Sequence, residues 1–251
     1  MSMPMDQSAI RALSFGAQAA KYEAARPTYP RPAIDWALEP VRDRRELRIA
    51  DVGAGTGKLT RLLCEVTAGV VAVEPDPGML AHLRTVISDI AAHEGRGESL
   101  PLPDHSQDAI FYGQAWHWTD QELASREAAR VLRPGGVLGL LWNIRDTTVP
   151  WVARYMEIQR DSDAERAIAN DAIRIYPPFL TTDRTEFRWA APTTCAGLLA
   201  LAQSRSHFLT APRPEKDRIL RETEELFGQM GWDTETVIDL PHTTHCFRAV
   251  L

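Results

Sequence analysis

A glycine-rich loop between a strand and a helix constrains this chain more than any other part of its sequence. The apolar run that ends at Asp51 predicts a buried strand, and Gly53, Gly55 and Gly57 follow it as a tight turn. Residues 56–64 then place leucines on one side of a helix. Glycines let a ligand approach the main chain, and free N–H groups at a helix start favour a polar or anionic group. The stretch therefore predicts a ligand-binding loop.

The spacing of these glycines narrows the choice of ligand. Dinucleotide-binding loops have the pattern Gly-x-Gly-x-x-Gly, and the pyrophosphate rests on the start of the following helix. Here the third glycine, Gly57, comes one position early, and Lys58 stands where that pattern has glycine. Asp51, just before the loop, would repel a pyrophosphate. A cofactor that carries positive charge and no phosphate fits these residues better.

Length and composition suit one α/β domain with room for an insertion. The chain has 251 residues, of which 44% are hydrophobic and 25% charged. A formal net charge of −6 argues against a nucleic acid or an anionic membrane as the main partner, because such surfaces require clustered Lys and Arg. We expect neither a signal peptide nor a membrane span, since long apolar runs are lacking.

The cysteines indicate the compartment. Cys64, Cys195 and Cys246 lie far apart and form no Cys-x-x-Cys pair. This usage is typical of a reducing cytoplasm, and not of a disulfide framework or a zinc site. His242, His245 and Cys246 resemble metal ligands superficially, but residues three apart on a strand face opposite ways. We therefore predict a cytoplasmic protein without a metal.

Strand and helix alternate five times up to residue 143. Strands are predicted to end at Asp51 and to cover residues 69–74, 90–96, 108–112 and 137–142. Thr119 and Glu122 form the pattern of a capping box for a helix that ends at residue 131. Such alternation predicts a parallel sheet with right-handed crossovers and ligands at the carboxyl ends of its strands.

The second part of the chain has a different pattern. Residues 150–173 are predicted to be helical with a solvated charged face, and residues 176–180 to form a hinge. Residues 185–189 and 242–250 are predicted late strands that complete the sheet, one of them antiparallel. Helices are predicted between them, at 194–204 and 213–228. In front of the first strand, a helix or two short helices are predicted from Ser8 to about Ala25, and another from Ala33 to Leu38, with Pro32 in its first turn.

Several motifs together carry a family resemblance. They include the pattern Asp-x-Gly-x-Gly-x-Gly of the loop, Ser14-Phe-Gly, Tyr22-x-x-x-Arg26-Pro-x-Tyr-Pro30, Val73-Glu-Pro-Asp-Pro-Gly-Met79, Gly97-Glu-x-Leu-Pro-Leu-Pro-Asp104, Gln114-Ala-Trp-His-Trp118 and Arg130-Val-Leu-Arg-Pro-Gly-Gly-Val-Leu138. With these motifs in this order, the chain resembles the class I S-adenosylmethionine-dependent methyltransferases of the methyltransferase-11 type. Within them it is similar to the branch of trans-aconitate methyltransferase-like proteins. The resemblance covers roughly residues 14–143.

The resemblance implies a fold and a division of the chain. It implies a Rossmann-like α/β fold with a mostly parallel seven-stranded sheet, helices on both faces and an antiparallel late strand. Residues 1–251 would form a single methyltransferase domain. A helical cap would occupy residues 1–40, the cofactor-binding core 46–143, and helical insertions 144–184 and 194–235, which would form a substrate lid.

The resemblance also implies residues that bind S-adenosylmethionine. The three loop glycines would approach its methionine part, whose ammonium Asp51 would hold, while Glu74 would bind the ribose hydroxyls. The adenine would lie near Met79 and the Gly97–Ser99 stretch, where many relatives carry an Asp at the position of Glu98. The full set is Tyr22, Arg26, Asp51, Gly53, Gly55, Gly57, Glu74, Pro75, Met79, Gly97, Glu98, Ser99, Gln114 and Ala115. Of these, Gln114 and Ala115 would line the sulfonium, and Tyr22 and Arg26 would close over the cofactor.

The chemistry requires little more than positioning, because the sulfonium is already an activated electrophile. A base is needed only if the acceptor must lose a proton, and His117 is the candidate for that role. The alternative is that His117 orders its loop or contacts the acceptor without transferring a proton. Candidates for the acceptor pocket are Trp116, His117, Trp118, Trp142, Tyr155, Arg174 and Tyr176. The three tryptophans are equally compatible with core and lid packing.

The sequence thus predicts methyl transfer to an O, N or C atom of a small acceptor, for example a carboxylate that Arg26 or Arg174 could orient. A second hypothesis is a protein that binds the cofactor without turnover and acts as a sensor or partner. A nicotinamide oxidoreductase is disfavoured by Lys58 and by the lack of a Tyr-x-x-x-Lys pair after the fourth strand. We expect a monomer or a homodimer.

Overall fold

The computed structural model describes residues 27–159 and 163–251. The helix predicted from Ser8 to about Ala25 lies outside the described residues. So do two predicted cofactor-binding residues, Tyr22 and Arg26, and the motif that begins at Ser14.

Seven strands form one mixed sheet within the described part of the chain. Their order is β3-β2-β1-β4-β5-β7-β6. β1 to β5 run parallel to one another, while β7 is antiparallel to both of its neighbours. The strands are β1 (Arg48–Val52), β2 (Gly69–Glu74), β3 (Ala91–Glu94), β4 (Gln107–Gly113), β5 (Leu132–Arg145), β6 (Asp183–Thr194) and β7 (Val237–Val250). The predicted seven-stranded, mostly parallel sheet with an antiparallel late strand is confirmed.

Helices cover both faces of this sheet, which is why its central strands have continuous apolar runs. On one face, α1 (Arg31–Leu38) and α2 (Lys58–Cys64) pack on β1 and β4 through Ala33, Ile34, Leu59, Leu63, Ile49 and Phe111. On the other face, α4 (Gln121–Val131) packs through Ala124, Ala128, Val131, Ile110 and Leu138. A further helix, α3 (Pro77–Val86), follows β2 and lies between α2 and α4 in the sequence.

The remaining helices follow β5 and form a smaller core of their own. They are α5 (Pro150–Gln159), α6 (Asp163–Ala169), α7 (Cys195–Gln203), α8 (Ser206–Thr210) and α9 (Arg213–Met230). Apolar side chains of α5, α7 and α9 bury one another, including Val152, Tyr155, Leu198, Ile219 and Leu226. None of the helices in the described ranges combines the length and apolar character that a membrane span requires.

Two local predictions are wrong. The predicted capping box at Thr119 does not form, because α4 begins one residue later and Asp120 caps it by accepting from the N–H groups of Glu122 and Leu123. The hydroxyl of Thr119 donates instead to the carbonyl oxygen of Trp116. The charged segment after β5 is not uniformly solvated either, since Glu165 of α6 has only 10% of its side chain exposed.

Other elements differ in length from their predictions. β5 begins at Leu132, within the predicted turn, and Gly135 bends it with a φ of +70°. β6 and β7 are longer than predicted because all of β6 pairs with residues 237–248 of β7. The five-residue helix α8 was not predicted.

Candidate cofactor and acceptor site

The glycine loop lies between the end of β1 and the start of α2. Gly53, Gly55 and Gly57 have φ angles of +69°, +58° and +91°, which side chains with a Cβ rarely adopt. A Cβ added to Gly53 would lie 2.5 Å from the Cβ of Ala115, and one added to Gly57 would lie 2.8 Å from Ile87 Cδ1. The main chain of the loop therefore passes within contact distance of the segments that follow β4 and α3.

Asp51, near the end of β1, is fully buried behind the loop. Its Oδ2 accepts a hydrogen bond of 2.6 Å from the hydroxyl of Thr60 in α2. In the described part of the chain its Oδ1 has no hydrogen-bond partner, and neither has the buried hydroxyl of Thr56. Burial raises the pKa of Asp51 to about 7, while the Thr60 hydrogen bond acts in the opposite direction. A buried carboxylate oxygen without a partner favours a cationic or N–H-bearing ligand.

Glu74 lies at the end of the neighbouring strand β2. Its Oε2 accepts from the N–H of Gly55 at 2.8 Å, and its Oε1 accepts from the N–H of Asp76 at 2.8 Å. Each carboxylate oxygen keeps a second lone pair that can accept from a ligand hydroxyl. Burial raises the pKa of Glu74 to about 7, and the charges of Asp76 and Asp51 add to this effect. Two acidic side chains with raised pKa values thus flank the loop from adjacent strands.

Met79 packs directly against the glycine loop. Its Sδ lies 3.7 Å from the position that a Cβ on Gly55 would occupy, and only 5% of the residue is exposed. Asp76 caps α3 and so fixes its first turn, because its Oδ1 accepts from the N–H groups of Gly78 and Met79. Pro75, between the acid and the cap, is half-buried.

The stretch after β3 contacts the segment between β4 and α4. Glu98 is half-buried, and its Oε1 accepts from the N–H of Asp120 at 2.7 Å. A Cβ on Gly97 would lie 2.9 Å from the side chain of Thr119 and 3.0 Å from the hydroxyl of Tyr112. Ser99 is exposed, and its N–H donates to Arg96. Glu98 therefore holds the start of α4 with one oxygen.

Gln114 and Ala115 follow β4 at the carboxyl edge of the sheet. Gln114 has a φ of +56°, its N–H donates to the carbonyl oxygen of Leu141, and its Nε2 donates to that of Asn143, both at 2.8 Å. Ala115 is buried against Gly53, as described above. These contacts to β5 hold the strained backbone at the carboxyl end of β4 in one position.

The Trp-His-Trp segment after Ala115 forms a single 3-10 turn, Trp116–Trp118. Trp116 is fully buried, and its Nε1 donates to the carbonyl oxygen of Arg174 at 3.0 Å. His117 and Trp118 are half-buried, with ring centroids 4.7 Å apart. Trp142 of β5 is fully buried, and its Nε1 donates to His117 Nδ1 at 3.2 Å. The structure thus brings four of the predicted acceptor residues, Trp116, His117, Trp118 and Trp142, to the region where β4 and β5 end.

The other predicted acceptor residues are more dispersed. Tyr155 is fully buried in the core of the helices after β5, where its hydroxyl donates to the carbonyl oxygen of Leu198 at 2.8 Å. The main-chain N–H groups of Arg174 and Tyr176 donate to side chains of α4. The side chain of Arg174 is 53% exposed, and Tyr176 is 37% exposed. Arg174 therefore lies beside Trp116, whereas Tyr155 belongs to the core of the helices after β5.

A buried charge cluster was missed by the sequence predictions. Glu165 of α6 accepts from Arg145 at 3.1 Å and from Arg205 at 2.6 Å, and all three side chains are at most 10% exposed. Arg145 is the last residue of β5, and Arg205 precedes α8. The cluster therefore joins the end of β5 to α6 and to the start of α8. No sequence signal joins three charged residues that lie in distant elements.

His242 and His245, which resemble metal ligands in the sequence, lie in two different environments in β7. His242 is buried and stacked on the ring of Trp189 at 5.2 Å, and burial beside Arg145 lowers its pKa to about 4. His245 Nδ1 lies 3.0 Å from the carboxylate of Glu186, and burial lowers the pKa of this imidazole although the carboxylate acts in the opposite direction. Among the described residues, no group of three or more His, Cys, Asp or Glu side chains is placed to hold a metal ion.

Comparison with known proteins places the chain in a family. A sequence profile described as a methyltransferase domain matches residues 50–140. An uncharacterised methyltransferase of Mycobacterium tuberculosis is 43% identical over 241 residues, which cover 95% of this chain and 96% of that protein. The chain belongs to the class I S-adenosylmethionine-dependent methyltransferases. S-adenosylmethionine is therefore the cofactor of this methyltransferase.

Two further comparisons are more limited. A malonyl-[acyl-carrier protein] O-methyltransferase of Methylococcus capsulatus is 40% identical over 97 residues, which cover 36% of this chain and 35% of that one. Phosphoethanolamine N-methyltransferase 2 of Haemonchus contortus, solved with S-adenosylhomocysteine, has a TM-score of 0.54 and 14% identity. The alignment covers 99% of this methyltransferase and 60% of that structure. The second likeness concerns the fold alone.

The site of this methyltransferase fits its cofactor. S-adenosylmethionine carries two positive centres, an ammonium and a sulfonium, and no phosphate. The buried Oδ1 of Asp51 lacks a hydrogen-bond partner among the described residues. This oxygen is therefore available to accept a hydrogen bond from the ammonium of the cofactor. Positive φ angles at three glycines leave the main chain of the loop open to close approach.

Proposed function

We propose that this methyltransferase methylates a small acceptor molecule, and that the acceptor is a carboxylate. The observation that carries the methyl-donor side of this proposal is the buried Oδ1 of Asp51 beside the glycine loop, which suits the ammonium of the cofactor. The second part is supported by the partial similarity to a protein described as a malonyl-[acyl-carrier protein] O-methyltransferase. A carboxylate acceptor is also consistent with the trans-aconitate methyltransferase-like branch, and we propose that the protein belongs to that branch. An N or C atom as acceptor is the competing outcome.

We assign the methionine part and the ribose of the cofactor to two acids and the loop. Asp51 would receive the ammonium at Oδ1 while Thr60 holds Oδ2. Glu74 would accept from the ribose hydroxyls with the lone pairs that Gly55 and Asp76 leave available. Because burial raises the pKa of both acids to about 7, the positive cofactor would bind best once they are ionised.

The adenine would lie between α3 and the stretch after β3. Met79 supplies a flexible apolar surface at the loop, with Pro75 beside it. The Gly97–Ser99 stretch would approach the amino group of the adenine, and the lone pairs of Glu98 that Asp120 leaves available could accept from it. Gln114 and Ala115 would line the sulfonium side. Tyr22 and Arg26 would close over the cofactor.

The acceptor would lie at the carboxyl edge of β4 and β5. Trp116, Trp118 and Trp142 make this region largely apolar, and the helices after β5 would cover it as a lid. When bound, the cofactor supplies a methyl group on a positively charged sulfur. The protein contributes by holding the acceptor in line with that methyl group and excluding water. Arg174, exposed beside Trp116, could orient a carboxylate from the mouth of the site.

We further propose a cytoplasmic location and a single domain with an N-terminal cap. The three free cysteines support the location, because two of them are buried and none is bonded to another. The monomeric or homodimeric state would be measured by light scattering of the purified protein.

Calorimetric titration tests the cofactor assignment. S-adenosylmethionine and S-adenosylhomocysteine should bind wild type with micromolar affinity, whereas NAD should not bind. Asp51→Asn and Glu74→Gln should each weaken binding at least tenfold, because a charge-assisted hydrogen bond contributes about 1.5–3 kcal/mol. Asp43→Asn, which changes a 95% exposed carboxylate, is the matched control and should bind as wild type does. Binding of NAD alone would refute the assignment.

A radiochemical assay tests the acceptor class. Tritium from the labelled methyl group is followed into panels of small carboxylic acids, phenols and amines. A methyl ester releases methanol in mild alkali, whereas methyl ethers and methylamines are stable. Alkali-labile product from one or more acids supports the proposal, and turnover confined to phenols or amines contradicts it.

A further inference from the structure

The hydrogen bond between Trp142 and His117 determines where the imidazole carries its proton. The indole Nε1 of Trp142 has a hydrogen and no acceptor lone pair, so it can only donate. It lies 3.2 Å from His117 Nδ1. Nδ1 must therefore accept, which requires its lone pair to be free of a proton. The neutral imidazole of His117 then carries its hydrogen on Nε2.

The donor in this pair is held firmly in the core. Trp142 is fully buried in β5, and its ring meets that of Phe247 edge-on, with centroids 5.5 Å apart and an interplanar angle of 84°. The imidazole is itself flanked by Trp118. Turning the imidazole to present Nδ1 elsewhere would leave the buried indole N–H without this acceptor, which is unfavourable for a buried donor.

We propose that His117 contacts the acceptor as a hydrogen-bond donor through Nε2–H and does not act as a general base. Trp142 is then a positioning residue that selects the tautomer. This inference rests on the proposed function, because it assigns a role toward the acceptor of methyl transfer. The half-buried position of His117 in the turn after β4 places it at the edge where that acceptor would lie.

This role agrees with a carboxylate acceptor. A carboxylic acid with an ordinary pKa near 4 is already ionised at neutral pH, whereas a phenol or an alkylammonium with a pKa near 10 must first lose a proton. The acceptor oxygen forms the new O–C bond as the methyl–sulfur bond breaks, and that electron pair stays on sulfur. No proton moves in this step. A donor such as His117 Nε2–H can orient the attacking carboxylate through its other lone pairs.

The tautomer can be measured without turnover. Long-range ¹H–¹⁵N correlation spectra of the histidine rings are recorded on the full chain with S-adenosylhomocysteine bound at pH 8, and the disappearance of signals in His117→Gln assigns the ring. We expect a protonated Nε2 and an unprotonated Nδ1. Trp142→Phe should give a mixture of tautomers, because it removes the indole donor. A wild-type spectrum with the proton on Nδ1 would overturn the proposal.

Two substitutions at His117 separate a donor from a base. Gln carries an N–H₂ group near the position of Nε2 and has no basic nitrogen, whereas Phe has neither. With a carboxylate acceptor, His117→Gln should keep kcat/KM within about threefold of wild type, while His117→Phe should lower it about 10- to 100-fold, the effect of losing a hydrogen bond to a charged group. Loss of about 10²–10⁴ in both variants, as for a general base, would refute the donor role.

Failure of the role proposed for His117 and failure of the proposed function would give different results. Unchanged kcat/KM in both variants would also overturn the inference, because His117 would then make no contact with the acceptor. If no cofactor binds to wild type, the proposed function fails, and the ring spectra of the free protein still report the tautomer.

Discussion

Asp51→Asn should stabilise the free protein while weakening its cofactor binding. The wild-type carboxyl group is fully buried, and one of its oxygens lacks a hydrogen-bond partner among the described residues. At pH 8 it must be ionised in that environment. The asparagine has nearly the same shape and carries no charge, and the hydroxyl of Thr60 can donate to its amide oxygen as it does to the carboxylate. The substitution therefore removes the charge and keeps the packing.

The magnitude follows from the pKa. Burial raises the pKa of Asp51 from 3.8 to about 7. Between these values the folded protein holds a proton that the unfolded chain has lost, so the free energy of unfolding falls as pH rises from about 4 to about 7. At about 1.36 kcal/mol per pKa unit, the loss at pH 8 is about 4 kcal/mol. Since about 1 kcal/mol shifts Tm by roughly 2–4 °C in a protein of this size, Asp51→Asn should raise Tm by about 8 °C or more.

Differential scanning calorimetry from pH 5 to pH 8.5 measures this effect. The Tm of the variant should exceed that of wild type most at pH 8, and the two curves should converge toward pH 5. In a parallel titration, cofactor affinity of wild type should rise with pH up to about 7, as Asp51 and Glu74 ionise. A variant with a lower Tm than wild type at pH 8, or with the same dependence on pH, would refute the reasoning.

Three further substitutions test other parts of the structure. Gly53→Ala should destabilise the protein by about 1–3 kcal/mol and weaken cofactor binding, measured by urea unfolding and calorimetry, because its φ is +69° and its Cβ would lie 2.5 Å from a neighbouring methyl group. Thr60→Val should raise the pKa of Asp51 further, so cofactor affinity should fall about tenfold or more at pH 7 and recover partly by pH 9. Glu165→Gln should cost about 3–5 kcal/mol in urea unfolding, because it leaves two buried arginines without their shared carboxylate.

Each of these substitutions has a control in the chain. Gly228→Ala lies in α9 with no atom near its Cβ, and should stabilise the protein by about 0.5–1 kcal/mol. Thr85→Val changes an exposed helical hydroxyl and should leave affinity and its pH dependence unchanged. Glu157→Gln removes an exposed partner of Arg154 and should cost at most about 1 kcal/mol. Equal effects in a substitution and its control would contradict the corresponding explanation.

The sequence predicted the sheet because local patterns determine it. Continuous apolar runs between glycine turns predict buried parallel strands, and the structure has β1 and β2 close to the predicted residues. Acidic residues at the strand ends, Asp51 and Glu74, are brought to one edge, as the alternation of strand and helix predicts. The placement of the glycine loop follows from the same pattern.

The contacts that join distant elements could not be predicted. Glu165 lies in a segment that was predicted to have a solvated charged face, yet pairing with Arg145 and Arg205 buries it in the fold. The hydrogen bond from Trp142 to His117 likewise depends on the register between β4 and β5. The pattern of apolar residues in the sequence does not determine that register. Thr119 and Asp120 are both suitable caps, and only the path of the preceding turn selects Asp120.

The order of the strands also affects the synthesis of the protein. Of the seven strands in the described residues, β7 is the last in the chain to leave the ribosome, and it lies between β5 and β6, pairing with both. Until it emerges, the nascent sheet ends at β5, whose buried and largely apolar residues form an open edge on which another chain could pair. β6 meanwhile has been made without its neighbour in the sheet. Co-translational folding of this methyltransferase can therefore complete the first five strands early, but the sheet closes only when its final strand is inserted.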